Sequence, residues 1–197
     1  MDFAPFVLAR LPPPPARILE IGCGSGELAR ALSAARYDVT AIDPNAPEGE
    51  QFRRVSFEEF EESGPFDAVV ASRSLHHIHD LGAALDKVLR LLGPDGVLVL
   101  DEFAWDRMDD ATAEWYYTRR NEPGEGWRER WNEEHEGLHT YDAMRAELDE
   151  RFRERSFAWL PYFYREQAGI DVEEERRLIA EDAIQATGFR YIGEPLT

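Results

Sequence analysis

The sequence predicts an α/β fold in which a parallel sheet is covered by helices, and three observations carry that expectation. Short apolar runs alternate with segments of helical period from residue 16 to residue 100. The first run ends in Gly22-Cys23-Gly24-Ser25-Gly26, a glycine turn that opens a helix. A chain of 197 residues, 43% of them hydrophobic, is long enough for one compact domain and too short for two of ordinary size. Residues 1–197 are therefore read as one domain, with 1–15 as an N-terminal segment and 103–139 as an aromatic insertion or lid over the active site.

Four consecutive prolines, Pro12 to Pro15, favour a stiff extended segment that sets a short N-terminal helix against the domain. Residues 16–21 form an apolar strand, and residues 27–36 a helix with Leu28, Ala31, Leu32 and Ala35 at helical period. A second strand, 38–42, ends at Asp43; a short third spans 52–55, and a strongly β-prone fourth spans 66–71. Only residues 44–51 join the second and third strands, too few for the helix that a right-handed crossover normally carries, so that helix is expected to be missing. Residues 56–63 leave room for one or two turns. Leu81, Leu85, Val88, Leu89 and Leu92 mark a helix over 81–92, which Gly93-Pro94-Asp95-Gly96 stops and turns. The fifth strand, 97–100, ends in Asp101-Glu102.

After Phe103 the composition changes. Trp105, Trp115, Tyr116, Tyr117, Trp127 and Trp131 stand among charges, while Pro123, Gly124 and Gly126 break any period, which places an insertion on the carboxyl edge of the sheet. Thr140 caps a helix over 140–152, residues 155–164 are extended, 172–187 are helical and closed by Gly188, and 189–192 form the last strand.

The 40 acidic and 22 basic residues give a net charge of −18, distributed as 17 acids and 9 bases in residues 1–104 and 23 and 13 in residues 105–197. No half is basic, which argues against polyanionic partners such as nucleic acid or anionic membranes and favours small or cationic ligands. Most of this charge is expected only to solvate the surface. With Cys23 as the one cysteine there is no intrachain disulfide and no cysteine zinc cluster, and no apolar stretch reaches membrane-span length. The N-terminus lacks a basic region and a small-residue cleavage site, so the expectation is a cytoplasmic protein, monomeric or homodimeric.

Glycine lacks Cβ, so the turn at 22–26 lets a ligand lie against bare backbone. Glu20 precedes it by two residues, and Asp43 at the end of the second strand is placed to accept hydrogen bonds from both ribose hydroxyls of an adenosine. A dinucleotide fingerprint needs glycine at position 27, where this chain has Glu27, a carboxylate that would repel pyrophosphate. S-adenosylmethionine carries a sulfonium and an ammonium and no phosphate, and suits Glu20. A dinucleotide site and a purely structural glycine turn are the alternatives.

Residues 18–26, Ala41-Ile42-Asp43, residues 65–72 followed by Leu75-His76-His77-Ile78, and residues 92–99 resemble successive motifs of the class I S-adenosylmethionine-dependent methyltransferases, in particular the small bacterial type-11-like domains. The resemblance covers residues 13–101 well and the last third loosely. It implies a Rossmann-like three-layer α/β/α sandwich with a seven-stranded, mostly parallel sheet and the last strand antiparallel. It also implies that Glu20, Gly22, Gly24 and Gly26, with Cys23 between them, surround the methionine part. Asp43, next to Pro44, holds the ribose, and Ala71 and Ser72 form a backbone ledge beneath the cofactor. The family usually offers an acid to adenine after the third strand; here Ser56 and Phe57 stand there, one to hydrogen-bond and the other to flank the ring.

Methyl transfer from an activated sulfonium needs orientation above all, and a base only where the nucleophile carries a high-pKa proton. Arg73, His76, Glu102, Tyr116, His135 and His139 are the candidates for such a base, with His76, His139 and Tyr116 taken as the catalytic residues and Arg73, His76, Trp115, Tyr116 and His139 as the substrate contacts. His77 matches a frequent family histidine and reads more simply as a packing residue. His135-Glu136-Gly137-Leu138-His139 satisfies the His-Glu-x-x-His zinc pattern, which requires both histidines on one face of a continuous helix. Gly137 weakens a helix there, Thr140 caps one that begins afterwards, and no third ligand follows at a recognisable spacing, so no metal is expected. The expected function is methylation of oxygen or nitrogen on a small molecule, with a protein side chain as alternative acceptor and an inactive S-adenosylmethionine-binding module as the other class.

Overall fold

The computed structural model describes residues 3–61 and 64–196. Its strands, in chain order, are β1 (Arg17–Ile21), β2 (Asp38–Ile42), β3 (Phe52–Arg53), β4 (Phe66–Ser72), β5 (Leu92–Phe103), β6 (Phe152–Leu160) and β7 (Gly188–Pro195). They form a single seven-stranded sheet in the order β3-β2-β1-β4-β5-β7-β6. The strands β1 to β5 pair in parallel, and β7 runs antiparallel to both its neighbours. The helices are α1 (Phe3–Leu8), α2 (Glu27–Ala34), α3 (Leu81–Leu91), α4 (Asp110–Arg120), α5 (Trp127–Glu134), α6 (Tyr141–Arg151) and α7 (Val172–Ala180). The expected Rossmann-like sheet is present, and strand order reverses between β1 and β4. In such sheets ligands bind in the crevice outside the carboxyl ends of the strands at that point.

Successive side chains of a strand point to opposite faces, and here both faces are buried, which is why the strands read as unbroken apolar runs. Ile18, Ala68, Val70 and Val99 pack with Val7 of α1 and with Leu28, Ala29 and Leu32 of α2. Leu19, Val69, Leu98 and Leu100 pack on the other face with Leu81, Leu85 and Val88 of α3 and with Met144 and Leu148 of α6. A third cluster joins Phe103, Met108, Trp115, Tyr116, Tyr117 and Trp131 to Tyr162, Phe163, Ile170 and Ile184. Residues 103–139 are therefore no detached flap. They share a core with the segment that follows β6.

The helix expected to be missing between β2 and β3 is missing, for residues 43–51 hold only turns and bends. Thr140 caps α6 as expected, its hydroxyl accepting from the Ala143 N–H at 3.2 Å. Three expectations need correction. Residues 93–96 do not separate a helix from a strand; they bulge within β5, whose pairing with β4 jumps from Phe66↔Leu92 to Ala68↔Val97. Helix α7 stops at Ala180 rather than running to Thr187, because the following backbone is recruited elsewhere. Gln185 N–H donates to Thr112 Oγ1 at 2.8 Å, and the Thr187 carbonyl accepts from Ala104 N–H at 2.7 Å. The prolines at 12–15 bend instead of forming one extended rod, and α1 still lies against α2. Among the described residues no helix is long and apolar enough to cross a membrane.

Candidate functional site

At the end of β1 the Gly22 and Cys23 N–H groups donate to the Ile42 carbonyl oxygen at 2.9 and 3.1 Å, which ties the glycine turn to β2. Asp43 completes the tie: its Oδ2 accepts from Gly24 N–H at 3.0 Å and its Oδ1 from Asn45 N–H at 2.7 Å. Gly22, Gly24 and Gly26 have φ of +71°, +49° and +79°, the left-handed region that favours glycine. The need is sharpest at Gly22, where a Cβ would lie 1.9 Å from Ser74 Oγ. That hydroxyl is itself bonded to the Ile21 and Ser72 carbonyl oxygens at 3.2 and 3.0 Å. Gly22→Ala is accordingly expected to lower folding stability by ~1–2 kcal/mol or more, the cost of the left-handed conformation alone. Urea unfolding of both proteins checks this, and equal stability would show that the turn tolerates a side chain.

Beside the turn, Glu20 is buried, 4% exposed, and its Oε2 has no hydrogen-bond partner. Burial, with a smaller push from Asp43, raises its carboxyl to about 8 against the relief of a hydrogen bond from the Ala29 backbone. Burial beside Glu20 and Asp43 likewise pushes the Cys23 thiol up to about 12, so Cys23 is a neutral thiol at physiological pH. Glu20, Gly22, Cys23, Gly24 and Ser72 line a hollow of about 410 Å³. It adjoins a cleft of about 480 Å³ lined by Gly22, Asp43, Ser72, Arg73, Ser74, His76, His77, Tyr162 and Glu166. Arg73 stands at this junction with φ +54° and bonds Glu166 at 3.1 Å.

A second cavity, about 340 Å³, lies under α4 and α5 and is walled by Phe103, Tyr116, Trp131, Tyr162 and Phe163, with Glu134, His135 and Glu166 also lining it. Phe103 and Tyr162 stack with centroids 4.0 Å apart, and Trp131 packs on His135 at 4.0 Å. His76 and His77 line both spaces. His76 is held by Glu102, a carboxylate at 0% exposure: Oε2 accepts from His76 Nδ1 at 2.6 Å, and Oε1 from the Ser74 and Leu75 N–H groups at 2.9 Å each. A second buried carboxylate, Glu175 of α7, accepts the N–H groups of Tyr162, Phe163 and Tyr164 at 2.7, 3.0 and 3.0 Å and so holds the turn that delivers two cavity walls. Burial raises the Glu175 carboxyl above its ordinary range even so. It lowers the imidazoles of His77 and His135.

Of the residues singled out in the sequence, Glu20, Gly22, Cys23, Gly24, Asp43, Ser72, Arg73 and His76 converge on the adjoining hollow and cleft, and Tyr116 reaches the aromatic cavity. Gly26 opens α2 and packs against Phe52, Ala71 is buried in β4 and faces the core, and Pro44 is exposed on the turn after β2. Four expectations are corrected. Phe57 is buried in the core beneath the Lys87 ammonium, 5.0 Å from its ring centre, and so offers no open face to an adenine. The Ser56 hydroxyl bonds Glu59 instead. Trp115 packs against Phe163 at 6.1 Å under Arg119 and does not line the cavity. His139 is a pin, its Nε2 donating to the Ile78 carbonyl at 2.7 Å and its N–H to that of His76 at 3.0 Å, which leaves its ring away from both spaces. The His-Glu-x-x-His stretch is not one helix face: α5 ends at Glu134, and Gly137 has φ +84°.

Ser74, Phe103, Trp131, Tyr162, Phe163 and Glu166 were not legible as site residues, whereas Glu102 was legible as a candidate base and is found holding His76. A serine two residues after the β4 end and an acid after the β5 end were the available signals. Nothing local marks Tyr162 and Glu166, which reach the cleft from beyond β6.

Compared with known proteins, the profile of the methyltransferase domain matches residues 2–160. A ubiquinone biosynthesis O-methyltransferase of Xanthomonas axonopodis pv. citri (strain 306) is 38% identical over 111 residues, which cover 48% of this chain and 46% of that enzyme, less than half its length. Among solved structures, an S-adenosylmethionine dependent methyltransferase from Mesorhizobium loti superposes with a TM-score of 0.64 at 17% identity, covering 96% of this chain and 95% of that one. The 1,6-didemethyltoxoflavin-N1-methyltransferase of Burkholderia thailandensis, with bound 1,6-didemethyltoxoflavin and S-adenosylhomocysteine, superposes with a TM-score of 0.59 at 16% identity, covering 98% and 74%.

A sheet of this order with a glycine cleft at its switch point defines a class, the Rossmann-like class I S-adenosylmethionine-dependent methyltransferase fold. Within it, this chain belongs to the methyltransferase-domain family.

Proposed function

We propose that the protein transfers the methyl group of S-adenosylmethionine to an oxygen or nitrogen of a small molecule. The observation that carries this reading is the position of His76, which lines both the glycine cleft and the aromatic cavity and so supports reading the one as a donor space and the other as an acceptor space. The cofactor fits the residues present. Its methionine end is cationic, and the partnerless Oε2 of Glu20 is a buried acceptor beside bare glycine backbone, with Asp43 beyond it for the ribose. When bound, the cofactor supplies an electrophilic methyl on sulfur. What the chain contributes is orientation, with Arg73, His76 and Tyr116 toward the acceptor. A cavity of about 340 Å³ is the size of a small-molecule pocket, which favours a metabolite over a protein side chain.

Calorimetry with S-adenosylhomocysteine, followed by labelled-methyl transfer over a panel of small alcohols, phenols and amines, tests the reading. Asp43→Ala is expected to lower affinity for S-adenosylhomocysteine by about tenfold or more, because a charged hydrogen bond contributes ~1.5–3 kcal/mol. Failure of the unaltered protein to bind at micromolar concentration would remove the methyltransferase reading. Binding with no transfer to any acceptor would favour a regulatory module.

A further inference from the structure

We propose that the acceptor is an amine carried on an aromatic or apolar ring, held as its ammonium by the cavity's carboxylates and aromatic faces and deprotonated by His76 under the control of Glu102. The proposal rests on the methyl-transfer reading and names the substrate class and the proton acceptor of that same site.

Charge selects the amine. Glu134 and Glu166 line the cavity, and no lysine or arginine does. Glu166 is shared with Arg73, whereas Glu134 has no ion-pair partner among the described residues. The imidazoles of His77 and His135 are held toward neutrality by burial, so they add no cation. A phenolate forming here would meet two carboxylates, and the nearby cations are already engaged, Arg73 with Glu166 and Arg120 with Glu122 and the Tyr116 hydroxyl. An ammonium would meet both carboxylates among the aromatic rings of Tyr116, Trp131 and Tyr162, whose π electrons attract a cation.

An ammonium has no lone pair to attack with, so something must take its proton first. Glu102 accepts the Nδ1 hydrogen of His76 at 2.6 Å, which leaves Nε2, on the far side of the ring, as the acceptor. Glu102 is itself fixed by the Ser74 and Leu75 N–H groups, so the ring cannot turn without losing its bond to a carboxylate that is held in place. In the step, one N–H proton passes to Nε2 and its electron pair becomes the amine lone pair. That pair forms the new N–C bond, while the C–S bond breaks and its electrons stay on sulfur, giving S-adenosylhomocysteine. The methylated ammonium leaves, and His76 returns its proton to solvent. His76 is thus the catalytic base, and Glu102, which touches neither reactant, is a positioning residue.

Phenethylamine, tyramine and tryptamine are the probes, with 4-ethylphenol as the hydroxyl counterpart, each titrated into protein saturated with S-adenosylhomocysteine and then assayed with labelled S-adenosylmethionine. At least one amine is expected to bind about tenfold or more tightly than 4-ethylphenol and to accept the methyl group. Glu134→Gln, a surface change, should remove most of that preference while affinity for S-adenosylhomocysteine stays within about twofold. Glu102→Gln should lower kcat for the amine by about 100-fold with KM and S-adenosylhomocysteine affinity little changed, a split that a general loss of structure would not produce. Equal or tighter binding of 4-ethylphenol, methylation of none of the amines, or a Glu134→Gln protein with full amine preference would each overturn the proposal. If S-adenosylhomocysteine itself does not bind, the methyl-transfer reading fails instead.

Discussion

Asp101→Ala is expected to cost about 3–5 kcal/mol of folding free energy, the range for removing one member of a buried ion pair. Asp101, at the carboxyl end of β5, is 1% exposed and receives both Nη groups of Arg165 at 2.9 and 3.1 Å and the Nε of Arg190 at 3.0 Å. Without the carboxylate, positive charge is left in a poorly solvated place, and Arg165 loses the anchor that holds the short turn Phe163–Arg165 against β5. Because that turn carries a cavity wall, binding in the aromatic cavity should weaken along with stability. Urea unfolding at neutral pH reads the first effect. Asp101→Asn keeps hydrogen-bond acceptance and loses charge, so it should fall between the two proteins. A loss below about 1 kcal/mol for Asp101→Ala would mean that the arginines regain water at little cost.

Glu20→Gln is expected to remove a large pH dependence. In the unfolded chain the Glu20 carboxyl ionises near 4.5, and in the folded protein near 8, chiefly because of burial. Between those values the folded state holds a proton that the unfolded state has released, so this group's contribution is full below 4.5 and is lost as pH rises through about 8. At stake are a few kcal/mol, since each tenfold change in proton affinity is worth ~1.4 kcal/mol. Thermal midpoints of the native and Gln proteins measured from pH 5 to 8 should diverge, with the native protein losing ground as pH rises. The difference between them isolates Glu20 from other groups such as Glu175. Parallel curves would show that Glu20 is better solvated than its burial implies. On the reading that a cationic methionine end binds there, the cofactor should also expel this proton, visible as a binding enthalpy that depends on the ionisation enthalpy of the buffer.

The glycine-cleft half of the site was legible because its geometry is local. A strand, a three-glycine turn, a helix and a carboxylate at the next strand's end lie within residues 17–43, and hydrogen bonds among Gly22, Gly24, Ile42 and Asp43 close the unit. Phe57 misled because an aromatic residue after β3 is equally suited to an adenine and to a core, and only the Lys87 contact from α3 shows which it serves. Trp115 and Trp131 are indistinguishable by residue type. One packs behind the cavity and the other walls it, according to how α4 and α5 lie on Phe163.

Residue order alone determined the parallel strands up to β5, the absent β2–β3 helix and the glycine cleft, since each follows from periodicity or from backbone freedom within a few residues. Tertiary structure alone decided the aromatic cavity and the carboxylates around it. Glu175 and Asp101 are two of the chain's 40 acids and look no different in sequence from those that solvate the surface, and the place of Glu102 after the fifth strand marks it without showing its partners. What separates them is burial among donors brought from 11 to 89 positions away. A carboxylate without water must find hydrogen bonds, and where those donors meet is a property of the folded chain.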